Sequence, residues 1–160
     1  MKLLVLPQTL AEAYSKDKTV DKTLIISIRC PGEDRPDFGK TIKEGDKQSK
    51  IYDIFEMQFN DLSEDVDNLK APIQENFNGL KEFIDTNKDN IDTILVHCAA
   101  GYSRSPGCAL AISEYLDLED PYVEKNGYSP NLLVYSLAKK ELGIAKSVEY
   151  YEDMFIDTLQ

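Results

Sequence analysis

The sequence predicts an α/β protein, a three-layer type of sandwich in which helices flank a mostly parallel central sheet. Three observations carry that prediction. Residues 24–28 and the end of residues 91–96 are short apolar runs without a polar face, as in strands of a parallel sheet covered on both sides. Around them lie segments whose apolar residues recur at helical spacing. The chain has 160 residues, 42% apolar and 29% charged, enough for one substantial core, so a single domain over residues 1–160 is expected.

Each element has its own warrant. Residues 2–6 read as a short buried strand, and Thr9-Leu10-Ala11-Glu12 has the form of a capping box opening a brief helix. Residues 24–28 read as a buried strand closed by Pro31-Gly32. Residues 32–50 are polar, hold Gly, Pro and many charges, and follow neither period, so they read as a long mobile loop. Phe55, Met57 and Phe59 alternate with Glu56 and Gln58, a strand with one buried face that stops at Asn60-Asp61. Asp61 is thereby placed at a strand's carboxyl end. From Pro72, the positions Ile73, Phe77, Leu80 and Ile84 mark an amphipathic helix. Residues 91–96 form a central strand that runs directly into His97-Cys98. Residues 107–116 read as a helix, Ser129-Pro130 opens another over 131–142, and Gly143 closes it. A last helix starts at Ser147, with Val148, Tyr151, Phe155 and Leu159 on one face. In such an alternation ligands bind beyond the carboxyl ends of the strands.

Composition removes several classes of function. With 29 acidic against 18 basic side chains the net charge is -11, which repels phosphate backbones and anionic membranes and argues against a nucleic-acid partner. No apolar run approaches the roughly 20 residues that span a bilayer, and the opening apolar stretch is too short for a signal-peptide core. A soluble, cytoplasmic protein with no membrane partner is expected. The cysteines, Cys30, Cys98 and Cys108, are odd in number and unpaired in spacing, which fits a reducing compartment. Cys30 and Cys108 read most simply as core residues, with Cys108 also able to protect Cys98 as a disulfide. His97 is the only histidine, so no His-based metal cluster can be built and no metal or other cofactor is expected. Lying next to Cys98 on an extended segment, it points to the opposite face and is poorly placed as a base for that thiol.

One segment carries chemistry: Val96-His97-Cys98-Ala99-Ala100-Gly101-Tyr102-Ser103-Arg104-Ser105-Pro106-Gly107, a buried strand, a small-residue loop and a helix start. The N–H groups of a tight loop and of a helix N-terminus converge into an anion cradle. The same field lowers the pKa of a cysteine at the loop's first position, making Cys98 a candidate thiolate. Arg104 brings a planar fork suited to two oxygens of a phosphoryl group. Gly101 permits the backbone such a loop needs, Ala99 and Ala100 leave its floor uncrowded, and Ser105 is placed to donate to the thiolate. His97 reads as an orienting residue that hydrogen-bonds backbone behind the loop.

His-Cys, five residues, Arg-Ser resembles the signature loop of the cysteine-dependent protein tyrosine phosphatases, and the short chain resembles their compact dual-specificity branch. The strict motif covers about ten residues, and the order of strands and helices around it is compatible over most of the chain. The resemblance implies that Cys98 attacks phosphorus to form a phosphocysteine, that Arg104 and the loop residues Ala99, Ala100, Gly101, Tyr102 and Ser103 bind phosphate or another oxyanion, and that Ser105 helps the thiolate leave. It also implies an aspartic acid on a separate loop that protonates the leaving oxygen and then activates water. Asp61, 37 positions before Cys98, is the first choice, with Asp65 and Asp67 as alternatives on the same loop. Asn131 is a candidate buttress of the signature loop, or a plain first-turn residue.

The function expected is hydrolysis of phosphotyrosine, and of phosphoserine or phosphothreonine, in a phosphorylated protein or peptide. Two rivals stand beside it: removal of phosphate from RNA 5′ ends, which the net charge opposes, and a non-catalytic phospho-binding module, which an intact Cys98, Arg104 and Asp61 oppose. A rhodanese-like sulfur transferase also uses a loop cysteine, but this spacing with Arg-Ser fits phosphate better.

Overall fold

The structure, a computed structural model, describes residues 1–118 and 129–144. Four parallel strands, β1 (Lys2–Pro7), β2 (Thr23–Arg29), β3 (Ile51–Gln58) and β4 (Thr93–Cys98), form one sheet in the order β1-β4-β2-β3. Among the described residues the α-helices are α1 (Gln8–Lys16), α2 (Leu80–Asn87), α3 (Arg104–Tyr115) and α4 (Leu132–Leu142). Every residue of β4 is buried, as is β2 up to Ile28, and these two strands lie inside the sheet. Their apolar runs, interrupted in β2 by Ser27, follow from that position, since both of their faces are covered.

The larger core joins Ile26, Val96, Phe77, Leu80, Leu110 and Tyr135 between the sheet and helices α2, α3 and α4. A smaller one holds Ala11, Ile25, Phe38, Ile51 and Leu95 on the opposite face. Adjacent residues Ile25 and Ile26, and Leu95 and Val96, fall into different cores, as the two-residue period of a strand requires. Each such fully buried side chain contributes roughly 1.5–3 kcal/mol. The sheet is therefore gripped from both sides, and β4 delivers its last residue, Cys98, to a fixed point between β1 and β2.

Residues 32–50 are built into the fold rather than standing off it as the loop the sequence predicts. Phe38, 4% exposed, sits in the smaller core beside α1. The N–H groups of Ile42 and Lys43 donate to the carbonyls of Ile51 and Tyr52, laying this segment along the start of β3. It covers a sheet face in the place of a second helix. One aromatic anchor among polar residues has no periodicity to detect.

Two helix entries also differ from expectation. Helix α1 follows β1 without a linker, so Pro7 occupies the N-cap position and Thr9 lies inside the helix, where its hydroxyl cannot cap. Glu12 instead accepts from Gln8 Nε2 at 3.2 Å. The helix expected from Pro72 is split into a short 3₁₀ turn at Gln74–Phe77 and helix α2, with Gly79 between them at φ +88°. Phe77, Leu80 and Ile84 are fully buried as their spacing predicts, but Ile73 is left exposed. Helix α4 begins behind Asn131 and ends at Gly143, which has φ +70°. The helix expected from Ser147 lies outside the described residues.

Candidate active site

The strand-to-helix turn after β4 is tight. Gly101 has φ +68°, and a Cβ there would lie 2.7 Å from Pro7 N and 2.8 Å from the Leu6 carbonyl carbon, so only glycine lets the loop fold back against β1. The Gln8 N–H donates to the Ala99 carbonyl at 3.1 Å and ties the loop to the start of α1. No described carbonyl accepts from the N–H groups of Ala100, Tyr102 or Ser103. Ala99, Ala100 and Tyr102 are exposed along the rim, whereas Arg104 and Ser105 are buried in the first turn of α3. Helix α3 starts three residues before the sequence predicts, which brings its unpaired amides to the loop.

Cys98 is buried, and its Sγ lies 3.1 Å from Ser105 Oγ. Burial alone raises a thiol's pKa. Here the Ser105 hydroxyl and N–H, the Arg104 charge and the Gly101 N–H outweigh it, and the Cys98 thiol is held below its ordinary value. Cys108, fully buried one helical turn into α3, has no such partners and is pushed up to about 12. All three cysteines are free thiols.

His97 faces the other way. Its Nδ1 lies 3.3 Å from the Cys98 carbonyl and its Nε2 2.6 Å from Ser27 Oγ, both buried, and its ring packs edge-on against Phe38. A carbonyl only accepts, so Nδ1 carries the proton and the Ser27 hydroxyl donates to Nε2. Burial lowers the His97 pKa, keeping this neutral form. The imidazole thus fixes the backbone behind the loop, in the orientation the sequence implies, and stays clear of the thiol.

Arg104 is 6% exposed. Its Nη1 donates to the Phe59 carbonyl at 2.8 Å and to Cys30 Sγ at 3.3 Å, while Nε and Nη2 have no partner among the described residues. The other two arginines, Arg29 and Arg35, both bind Glu56, at 3.1 and 2.7 Å. Arg104 alone of the three has no carboxylate partner among the described residues. A buried guanidinium without a counter-ion is costly, and the Nε and Nη2 N–H groups of this one are unpartnered among the described residues and so available to an anion.

Asp61 reaches the same loop from β3's far end. Its Oδ1 accepts from Ser103 Oγ at 2.8 Å and from Asn131 Nδ2 at 2.9 Å. Asp65 is occupied within its own loop, accepting from the Ala71 N–H at 2.8 Å and pairing with Lys70, and Asp67 makes no bond to the signature loop. Of the three aspartates the geometry brings Asp61 to Cys98's loop. Asn131 also donates its backbone N–H to the Ser103 carbonyl at 2.9 Å, so it contacts the loop directly as well as capping α4.

Three contacts of the site escape a reading of the sequence. Cys30, expected in the core, is half-buried with its sulfur on Arg104; the Phe59 carbonyl orients the same guanidinium; and the Ser103 side chain binds Asp61. Cys30 directly follows Arg29, the last residue of β2, the strand beside β4, a neighbour relation that only the strand order reveals. A cavity of about 560 Å³ at the amino-terminal edge of the sheet, near Lys22, Tyr52 and Asp92, contains none of these residues.

A parallel sheet with a thiol cradle at the end of its central strand, an uncompensated arginine above and an aspartate from a neighbouring loop defines a cysteine-dependent phosphatase. Residues 14–116 match the family described as dual specificity phosphatase, catalytic domain, and the chain belongs to that family. Among solved structures it is similar to PTPMT1, with 16% identity and a TM-score of 0.50 over 96% of this chain and 95% of that one. It is also similar to Tk-PTP in the active form, with 11% identity and a TM-score of 0.41 over 96% and 89%. No curated protein matches it. Among the described residues no helix is long and apolar enough to cross a membrane.

Proposed function

We propose that this protein hydrolyses phosphotyrosine, and phosphoserine or phosphothreonine, in protein or peptide substrates through a phosphocysteine. The Cys98 thiolate attacks phosphorus, the Arg104 fork and the loop amides hold the equatorial oxygens, and Asp61 gives its proton to the departing oxygen. In the second half, Asp61 takes a proton from water as it attacks phosphorus. The thiolate leaves toward the Ser105 hydroxyl, and phosphate is released.

The observation that carries this reading is the pairing of a thiol held below its ordinary pKa with a buried Arg104 that has no carboxylate partner among the described residues. Net charge -11 favours protein over nucleic acid as the phosphate's carrier. The experiment is release of phosphate from matched phosphotyrosine, phosphoserine and phosphothreonine peptides and from a 5′-phosphorylated RNA, by wild type and Cys98→Ser. Turnover of the peptides that is lost in the variant supports the proposal. Turnover of the RNA alone contradicts it.

A further inference from the structure

Helices α3 and α4 each begin with a residue that ordinarily caps a helix, and both cap side chains meet on one oxygen of Asp61. Ser103 is the N-cap of α3, where a serine hydroxyl usually turns back to the N–H of the second or third helical residue. It makes no such bond, and the third helical residue, Pro106, has no N–H to offer. The hydroxyl goes to Asp61 Oδ1 instead. Asn131 is the N-cap of α4, and its Oδ1 accepts from the Val134 N–H at 3.0 Å. That bond fixes which way round the amide sits, because an amide oxygen cannot donate and an amide nitrogen cannot accept. The nitrogen must therefore face Asp61 Oδ1 and the Leu62 carbonyl, at 2.9 and 3.2 Å.

We infer that Ser103 and Asn131 are positioning residues for the general acid, and that they select the oxygen of Asp61 that carries the catalytic proton. A proton on Oδ1 would oppose an amide N–H that can only donate. Oδ2 has no partner among the described residues, so the proton resides there, on the oxygen that is free to meet the leaving group. The same clamp ties the acid's loop to the phosphate loop through Ser103 and to the start of α4 through Asn131, which donates to both Oδ1 and the Leu62 carbonyl. The acid is held ready before substrate arrives.

This inference rests on Asp61 being the acid, and the test separates the two claims. Phenyl phosphate, a poor leaving group, and p-nitrophenyl phosphate, an activated one, are compared for wild type, Ser103→Ala, Ser103→Thr, Asp61→Ala and the double variant Ser103→Ala/Asp61→Ala. Asn131→Asp is added because it keeps the acceptor for Val134 while replacing the donor to Asp61. Losing one hydrogen bond to the acid should lower kcat on phenyl phosphate about tenfold in Ser103→Ala, and should lower it less on the activated ester, whose leaving group needs no proton. Ser103→Thr should restore it, and Asn131→Asp should lose at least as much as Ser103→Ala. In the Asp61→Ala background the serine substitution should have no further effect, since its route to the chemistry is gone. If Asp61→Ala is selective for phenyl phosphate but Ser103→Ala slows both esters alike, or adds fully to Asp61→Ala, the positioning role is overturned while Asp61 stands. If Asp61→Ala itself shows no selectivity, the acid assignment fails and this inference with it.

Discussion

The Cys98 sulfur lies 3.1 Å from the Ser105 hydroxyl, across the turn that joins β4 to α3. That bond stabilises a thiolate twice, before it attacks and when it departs. Ser105→Ala should therefore shift alkylation of Cys98 by iodoacetate to higher pH, because the thiolate exists only above a pKa that the bond keeps low. It should also slow breakdown of the phosphocysteine, giving a burst of phenol in rapid-quench experiments. An unchanged alkylation profile would show that the amides and Arg104 suffice.

Arg104→Lys tests the fork. An ammonium cannot hold the Phe59 carbonyl and also present two parallel N–H groups to an oxyanion, so kcat should fall roughly 10²–10³-fold, as for loss of a transition-state donor. Steady-state kinetics on p-nitrophenyl phosphate measures this, and a loss under tenfold would move the oxyanion work to the loop amides.

His97 makes stability depend on pH. Burial holds its folded pKa below the ordinary 6.5, so the unfolded chain takes up a proton where the folded protein does not. Its contribution is complete above pH 6.5 and is lost as pH falls through the folded value. Urea midpoints at pH 7 and pH 5 should converge in His97→Gln relative to wild type. At pH 7 the substitution should cost about 1–3 kcal/mol, because Ser27, fully buried, loses its partner. Parallel declines in the two proteins would contradict the assignment.

Thiol reactivity should divide along the same lines. Cys108, pushed up to about 12 and fully buried, should remain unlabelled in native protein at neutral pH while Cys98 is alkylated. Peptide mapping after brief iodoacetate treatment reads this directly, and inorganic phosphate should protect Cys98 by occupying the cradle. Labelling of Cys108 at the rate of Cys98 would mean that α3 opens.

The sheet and the signature loop are legible in the sequence because their causes are local. The runs in β2 and β4 show their two-sided burial, and Cys98 to Ser105 is one continuous turn whose spacing sets its geometry. What stays illegible depends on which elements become neighbours. Cys30 meets Arg104 only because β2 lies beside β4, and Asp61 is distinguished from Asp65 and Asp67 only once Ser103 and Asn131 converge on it. Phe38 folds a polar segment onto the sheet through one side chain, where a period needs several. Gly79 divides a helical pattern whose apolar spacing continues across the break, so Phe77, Leu80 and Ile84 are read correctly and the helix start is not.

The most direct test of the account is hydrolysis of p-nitrophenyl phosphate in the presence of EDTA by wild type and Cys98→Ser, with acid-quenched wild type mapped for covalent phosphate. Wild-type turnover should be untouched by the chelator and absent in the variant, and a phosphoryl group should be found on the peptide containing Cys98. Turnover that survives Cys98→Ser, or that requires an added metal, would contradict it.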